Sequence, residues 1–227
     1  SSAGDVNGDG FDDLIVGAPG DDPNGSSGAS FVVFGGDFTG SVTEIGTVGD
    51  DTLTGSADKD VLIGGTGNDS LIGAGGADVL RAGEGDDVIE VADLDFARID
   101  GGTGRDTLRL TGTGLSLNLD TLDNTSLDSI EVIDLNGGGN ALTVSSVELF
   151  RLVESSATNT LRVLGGDTDA VTLTGGAWTR QTDLVDGGQT FAVYTQGNAT
   201  LEVASDVSVT GTLSSAAIAS IELSSIE

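Results

Sequence analysis

The chain has 227 residues, a formal charge of −29, 37 glycines, and no histidine, cysteine or methionine. Without histidine or cysteine there is no Ser-His-Asp triad, no His-Glu-x-x-His zinc site and no thiol nucleophile, so the chain reads as non-enzymatic. So acidic a surface lacks the clustered Lys and Arg that phosphate binding needs, which excludes nucleic acid as a partner. It also disfavours bare acidic lipid, unless calcium bridges the two. No run of eighteen apolar residues is present to span a membrane as a helix. No amino-terminal signal with a charged head and apolar core is visible. The length allows one or two domains, and the lack of methionine with Ser1 first predicts a matured or trimmed piece of a longer protein.

Residues 5–13 read DVNGDGFDD. Oxygen-bearing side chains fall at Asp5, Asn7, Asp9 and Asp13, Gly10 allows a sharp turn, and Phe11 offers its carbonyl. Such alternate spacing suits a loop in which every second residue points at one calcium ion. It lacks the twelfth-position glutamate of an EF-hand, and the LIVGAP that follows is a strand. The loop, Gly17-Ala18-Pro19 and the strand FVVFGG at 31–36 together resemble an FG-GAP repeat of integrin-type β-propellers. The resemblance implies that residues 1–36 are the latter part of one blade, with a calcium loop. A propeller needs several blades, so the partner strands are expected upstream in the parent protein or from a neighbouring molecule. Residues 37–45 read as a connector.

From Gly46 the sequence falls into nines: GTVGDDTLT, GSADKDVLI, GGTGNDSLI, GAGGADVLR, AGEGDDVIE, an irregular VADLDFARID, then GGTGRDTLR. The template is Gly-Gly-x-Gly-x-Asp-x-(large apolar)-x. The sixth place holds Asp51, Asp60, Asp69, Asp78, Asp87 and Asp106; the eighth holds Leu53, Leu62, Leu71, Leu80, Ile89 and Leu108. The glycine half turns the chain where φ > 0 is cheap, and the other half is a strand that sends one aliphatic inward. Two nines make a coil, so residues eighteen apart stack. Leu53, Leu71 and Ile89 form one inner column; Leu62 and Leu80 form the facing one. Asp106 follows Asp87 by nineteen, which places a bulge or loop within 91–100.

Stacked carboxylates about 4–5 Å apart repel by about 1 kcal/mol in water and about 4 at an effective dielectric of 20. A cation between turns reverses the sign. Calcium accepts six to eight oxygens, carbonyls included, and folding is then coupled to metal binding. A fixed glycine-and-carboxylate period of this kind signals a parallel β-roll, and the nines resemble the RTX family of secreted calcium-binding repeats. The expectation is an all-β chain with a right-handed parallel β-roll over 46–110. Several calcium ions would be held by the six aspartates and by turn residues Gly64, Gly65, Gly67, Gly101, Gly102 and Gly104. Paired carboxylates could also serve glycoside hydrolysis, but their spacing fits ligation. Lys59, Arg81 and Arg105 offset carboxylates on the surface.

Beyond the repeats, short strands rich in Val, Leu and Thr are predicted at 106–110, 115–119, 130–135, 141–144, 161–164, 171–174, 191–194 and 201–204. Ser145 or Ser146 caps a short helix through Val147, Leu149 and Phe150, with Glu148 near its positive end. Asp186-Gly187-Gly188 has hairpin turn chemistry. Trp178 and Tyr194 read as core rather than a sugar-stacking platform. Residues 165–169 (GGDTD) partly match the nonapeptide turn, but Thr168 stands where the third glycine belongs.

The runs SIEVIDLNGGGNALTV, TNTLRVLGGDTDAVTLTGGAW and YTQGNATLEV resemble the region after RTX repeats in large type I secreted bacterial surface proteins. That resemblance implies a β-rich cap over 111–227, with the tail AAIASIELSSIE a last strand or part of a secretion signal. An open solenoid needs such a cap for its exposed strand edge. The functional expectation is an extracellular, calcium-folded module of a surface adhesin. Calcium is its partner, with other copies of the chain or a surface ligand as further ones. Two alternatives stand beside it: a calcium-glued subunit of an S-layer or filament, and the non-catalytic tail of a secreted hydrolase.

Overall fold

The computed structural model describes residues 2–4, 13–18, 29–33, 42–153 and 158–214, the first three segments as backbone strands only. Two compact units divide the chain, Ser1–Val42 and Thr43–Glu227. The first contains an antiparallel sheet in the order β1 (Ser2–Gly4), β2 (Asp13–Ala18), β3 (Ala29–Val33). Asp13 opens β2. Asp5, Asn7, Asp9 and Phe11 of the predicted calcium loop lie outside the described residues, as does the tail at 216–227.

The second unit follows from the nine-residue period. Successive repeats alternate between two runs of parallel strands. One run is β4 (Glu44–Ile45), β6 (Val61–Thr66), β8 (Val79–Glu84), β10 (Arg98–Thr103) and β13 (Leu127–Asp128). The other is β5 (Thr52–Thr54), β7 (Ser70–Ile72), β9 (Val88–Val91), β11 (Thr107–Leu110), β14 (Val132–Asp134), β16 (Thr160–Leu164) and β20 (Ala199–Ala204). Leu53, Leu71 and Ile89 align in register along one run, and Leu62 and Leu80 along the other. All five are buried in a single apolar core. Each such side chain contributes about 1.5–3 kcal/mol. On the five-stranded side the glycines do not only turn the chain: Gly64 and Gly65 continue strand β6. The extra residue before Asp106 is taken up between β9 and β10, where Phe96 packs into the core.

Parallel stacking continues past the nonapeptides through β12 (Ser116–Asn118), β15 (Ala141–Val144), β17 (Ala170–Arg180) and β21 (Ser208–Leu213). A purely parallel arrangement ends there. β19 (Gln189–Gln196) runs antiparallel between β17 and β20, so the thirteen-stranded sheet is mixed. Its cause is local: Gly187 and Gly188, at φ 58° and 85°, form a two-residue turn joining β18 (Leu184–Asp186) to β19. β21 has no counterpart among the predicted strands; its SVTGTL carries a glycine in mid-run.

The helix forms where capping chemistry places it, as α1 (Ser146–Leu152). The Ser145 side chain accepts from the Glu148 amide, and Leu149 and Leu152 face the core. Glu148 pairs with Arg151 at 2.8 Å. Trp178 is fully buried and Tyr194 nearly so, with the Trp178 ring nitrogen donating to the Thr174 carbonyl.

Candidate metal centres

The turns bring successive coils too close for side chains. Gly67 sits at φ 117°, and a Cβ there would lie 2.6 Å from the Gly49 carbonyl carbon. Main-chain oxygens of neighbouring coils therefore converge at the sheet edge, beside the sixth-place aspartates.

Four of those aspartates, Asp69, Asp78, Asp87 and Asp106, use one carboxylate oxygen to hold the stack. Along one edge the Asp51 amide donates to Asp69 Oδ1 at 2.8 Å, Asp69 to Asp87 at 2.7 Å and Asp87 to Asp106 at 2.9 Å. On the other edge the Asp60 amide donates to Asp78 Oδ1 at 2.8 Å. Stacking at eighteen residues, with one step of nineteen, thus places these six predicted site aspartates in two ladders.

The second carboxylate oxygen divides them. Asp51 Oδ2 accepts from the Thr47 amide at 2.5 Å and its hydroxyl at 2.8 Å. Asp60 Oδ2 accepts from the Ser56 amide at 2.6 Å and its hydroxyl at 3.0 Å. The Ser56 amide is the main cause that holds the Asp60 pKa below the ordinary range. At Asp69, Asp87 and Asp106 the corresponding second-place residue is Gly65, Gly83 or Gly102. With no hydroxyl available, Oδ2 of all three is buried and has no hydrogen-bond partner. Burial pushes the carboxyls of Asp78 and Asp87 upward, and that of Asp106 up to about 7. Leaving a buried acceptor unmatched costs about 1–3 kcal/mol, more when charged. Three stand in one column, at Asp69, Asp87 and Asp106.

The donor set fits a hard one. A Cβ on Gly64 would collide with both Asp69 Oδ2 and the Ala82 carbonyl, so a carboxylate oxygen and a carbonyl meet at that point. Gly101 stands likewise between Asp106 Oδ2 and the Ser129 carbonyl. Among the described residues no three His, Cys, Asp or Glu side chains converge as a metal cluster. A cation bound here would draw on main-chain carbonyls as well, which calcium accepts readily. The family model for RTX calcium-binding nonapeptide repeats, in four copies, matches residues 45–80 and 54–89. The chain carries RTX calcium-binding repeats.

A second family model, the FG-GAP repeat, matches residues 1–33. No curated protein and no solved structure matches the chain. RTX nonapeptide repeats bind several calcium ions, are typical of secreted bacterial proteins, and belong with structural rather than catalytic repeats. No helix among the described residues is long and apolar enough to cross a membrane.

Three residues that bear on the RTX edge escape a reading of the motif alone. Thr47 and Ser56 depart from the glycine template at second place, which is a visible signal. Glu131 accepts from the Asp106 amide at 2.9 Å but sits in the non-repeat run IEVIDL, with no glycine signature. Farther on, Asp169 is fully buried. Its Oδ1 accepts from the Asn140 amide at 2.8 Å, and its Oδ2 from the amides of Gly137 at 2.8 Å and Gly166 at 2.9 Å. Asn140 Nδ2 in turn donates to the carbonyls of Gly112 at 3.0 Å and Leu135 at 2.9 Å. Here hydrogen-bond donors do what a cation does in the RTX turns.

Proposed function

We propose that this chain is an extracellular, non-enzymatic module of a type I secreted bacterial surface protein, folded by calcium after export. Residues 46–110 form a right-handed parallel β-roll, 111–227 the β-rich cap, and 1–36 an FG-GAP blade segment with its own calcium loop at residues 5–13, joined through 37–45. The calcium ligands are Asp69, Asp78, Asp87 and Asp106 with turn carbonyls that include Gly64, Gly65, Gly67, Gly101, Gly102 and Gly104. Asp51 and Asp60, satisfied by Thr47 and Ser56, each end one of the two ladders. The observation that carries this reading is the run of buried, unpartnered Oδ2 atoms at Asp69, Asp87 and Asp106. Where calcium is scarce the column repels itself and the roll is unfolded and threadable; in millimolar calcium the same oxygens become ligands.

The parent protein is an adhesin. A second reading, a calcium-bridged lattice or filament subunit, is favoured by β3, which lies at the edge of its described three-stranded sheet and offers pairing to a neighbour. Sedimentation velocity in millimolar calcium and in EDTA tests both. An expanded monomer that compacts with calcium supports the folding module, growth into large species supports the lattice, and identical profiles contradict both.

A further inference from the structure

The carboxylate ladder does not stop at the last nonapeptide. Between Asp87 and Asp106 the next carboxylate arrives nineteen residues on; from Asp106 it arrives twenty-five on, at Glu131. Glu131 nonetheless occupies the equivalent place. The amides of Glu131 and Val132 donate to the Asp106 carbonyl at 3.1 Å and 2.9 Å, as Thr107 donates to Asp87 and Val88 to Asp69, both at 2.9 Å. The Ser129 carbonyl stands at Gly101 where the Ala82 carbonyl stands at Gly64. Asp106 is fully buried, and its Oδ2 points to this meeting of oxygens without a partner.

Two carboxylates, Asp106 at 0 % and Glu131 at 5 % exposure, are thereby held in one hydrogen-bonded frame. Two basic groups share a pocket with Glu131: Arg162, engaged at 2.7 Å from both Asp186 and Glu202, and Arg105, next to Asp106 in the chain. Glu131, with Gly104, Arg105 and Arg162, lines a pocket of about 360 Å³ on the solvent side of this ladder. Glutamate carries one methylene more than aspartate, which lets a strand residue reach a position that a glycine turn supplies inside the repeats.

We propose that Asp106, Glu131 and the Ser129 carbonyl hold a calcium ion that fastens the last RTX turn to the non-repeat segment behind it. This site rests on the calcium-folding reading above and extends it beyond the matched repeats, which end at residue 89.

The test is calcium stoichiometry of the full chain by equilibrium dialysis, for wild type, Glu131→Gln and Glu202→Gln. Glu131→Gln keeps an oxygen acceptor for the Asp106 amide and removes the charge. It is expected to lose one ion per chain, or to weaken one site tenfold or more. Glu202→Gln, in the same pocket, is expected to leave the count unchanged. Should Glu131→Gln not fold, wild-type crystals soaked in a lanthanide decide by anomalous scattering. A peak at Asp106 Oδ2 and the Ser129 carbonyl supports the site; peaks confined to the repeats overturn it. Unchanged stoichiometry and affinity in Glu131→Gln overturn this site alone, whereas a wild-type chain that binds no calcium overturns the folding reading with it.

Discussion

Asp106 and Asp169 set the chain the same problem at two places, a carboxylate fully buried at the turn of a coil. At Asp169 three backbone amides surround it, and the Asn140 amide gathers the carbonyls next door. At Asp106 one amide is supplied and the second oxygen is left bare. The fold is continuous between them, since parallel strands stack from the repeats through β16 and β20. What changes is the source of positive charge: N–H dipoles at Asp169 and, on the proposed reading, a diffusible cation in the repeats. On that reading one architecture contains a part that answers to calcium and a part that does not.

The contrast can be broken most severely at Asp169. Asp169→Ala strands three amide donors, that of Asn140 buried and those of Gly137 and Gly166 partly so, at about 1–3 kcal/mol for the buried one, and the loss of urea stability should be the same in calcium and in EDTA. A loss confined to calcium buffer would contradict the metal-free assignment. Asp106→Asn should behave oppositely. In EDTA, where the repeats are unfolded, it leaves the unfolding of the remaining coils unchanged. In calcium it removes a ligand and costs about 2 kcal/mol, on the scale of one charged hydrogen bond. Equal effects in both buffers would sink the distinction.

Protons offer a finer probe. In metal-free protein the folded Asp106 carboxyl titrates near 7 against about 3.9 unfolded, so the folded state binds the proton more tightly. That contribution is fully present below about pH 4 and is lost as pH rises through 7. The raised carboxyls of Asp78 and Asp87 act in the same direction. In EDTA the folded fraction of the repeats, read by circular dichroism, should therefore fall as pH rises from 5 to 8, and saturating calcium should flatten that fall. The smallest effect is expected at Ser56→Gly. Deleting the hydroxyl that donates to Asp60 Oδ2 should cost about 0.5–1.5 kcal/mol of urea stability in calcium, where the repeats are folded.

Much of this was legible in the sequence, because a strict period converts directly into contacts. The inner columns Leu53–Leu71–Ile89 and Leu62–Leu80, and the stacking of Asp51 on Asp69 and Asp87, follow from eighteen residues per coil. The helix was legible from Ser145, and the hairpin from its paired glycines. Glu131 was not: in IEVIDL it reads as an ordinary strand residue, and its role comes from a coil of different length. Nor was the seating of β19 between β17 and β20, since the paired glycines predict the turn but not the strands that flank it. Thr47 and Ser56 were visible as departures from the template, but only the geometry shows their hydroxyls aimed at the carboxylates.

Hydrogen exchange read by mass spectrometry, in millimolar calcium and in EDTA, tests the division most directly. Amides of the repeats at 61–110 should be protected only in calcium, while those around Asn140 and Asp169 remain protected in both. Equal protection of the repeats in the two buffers would contradict the account, because the buried carboxylates at Asp69, Asp87 and Asp106 would then need no cation.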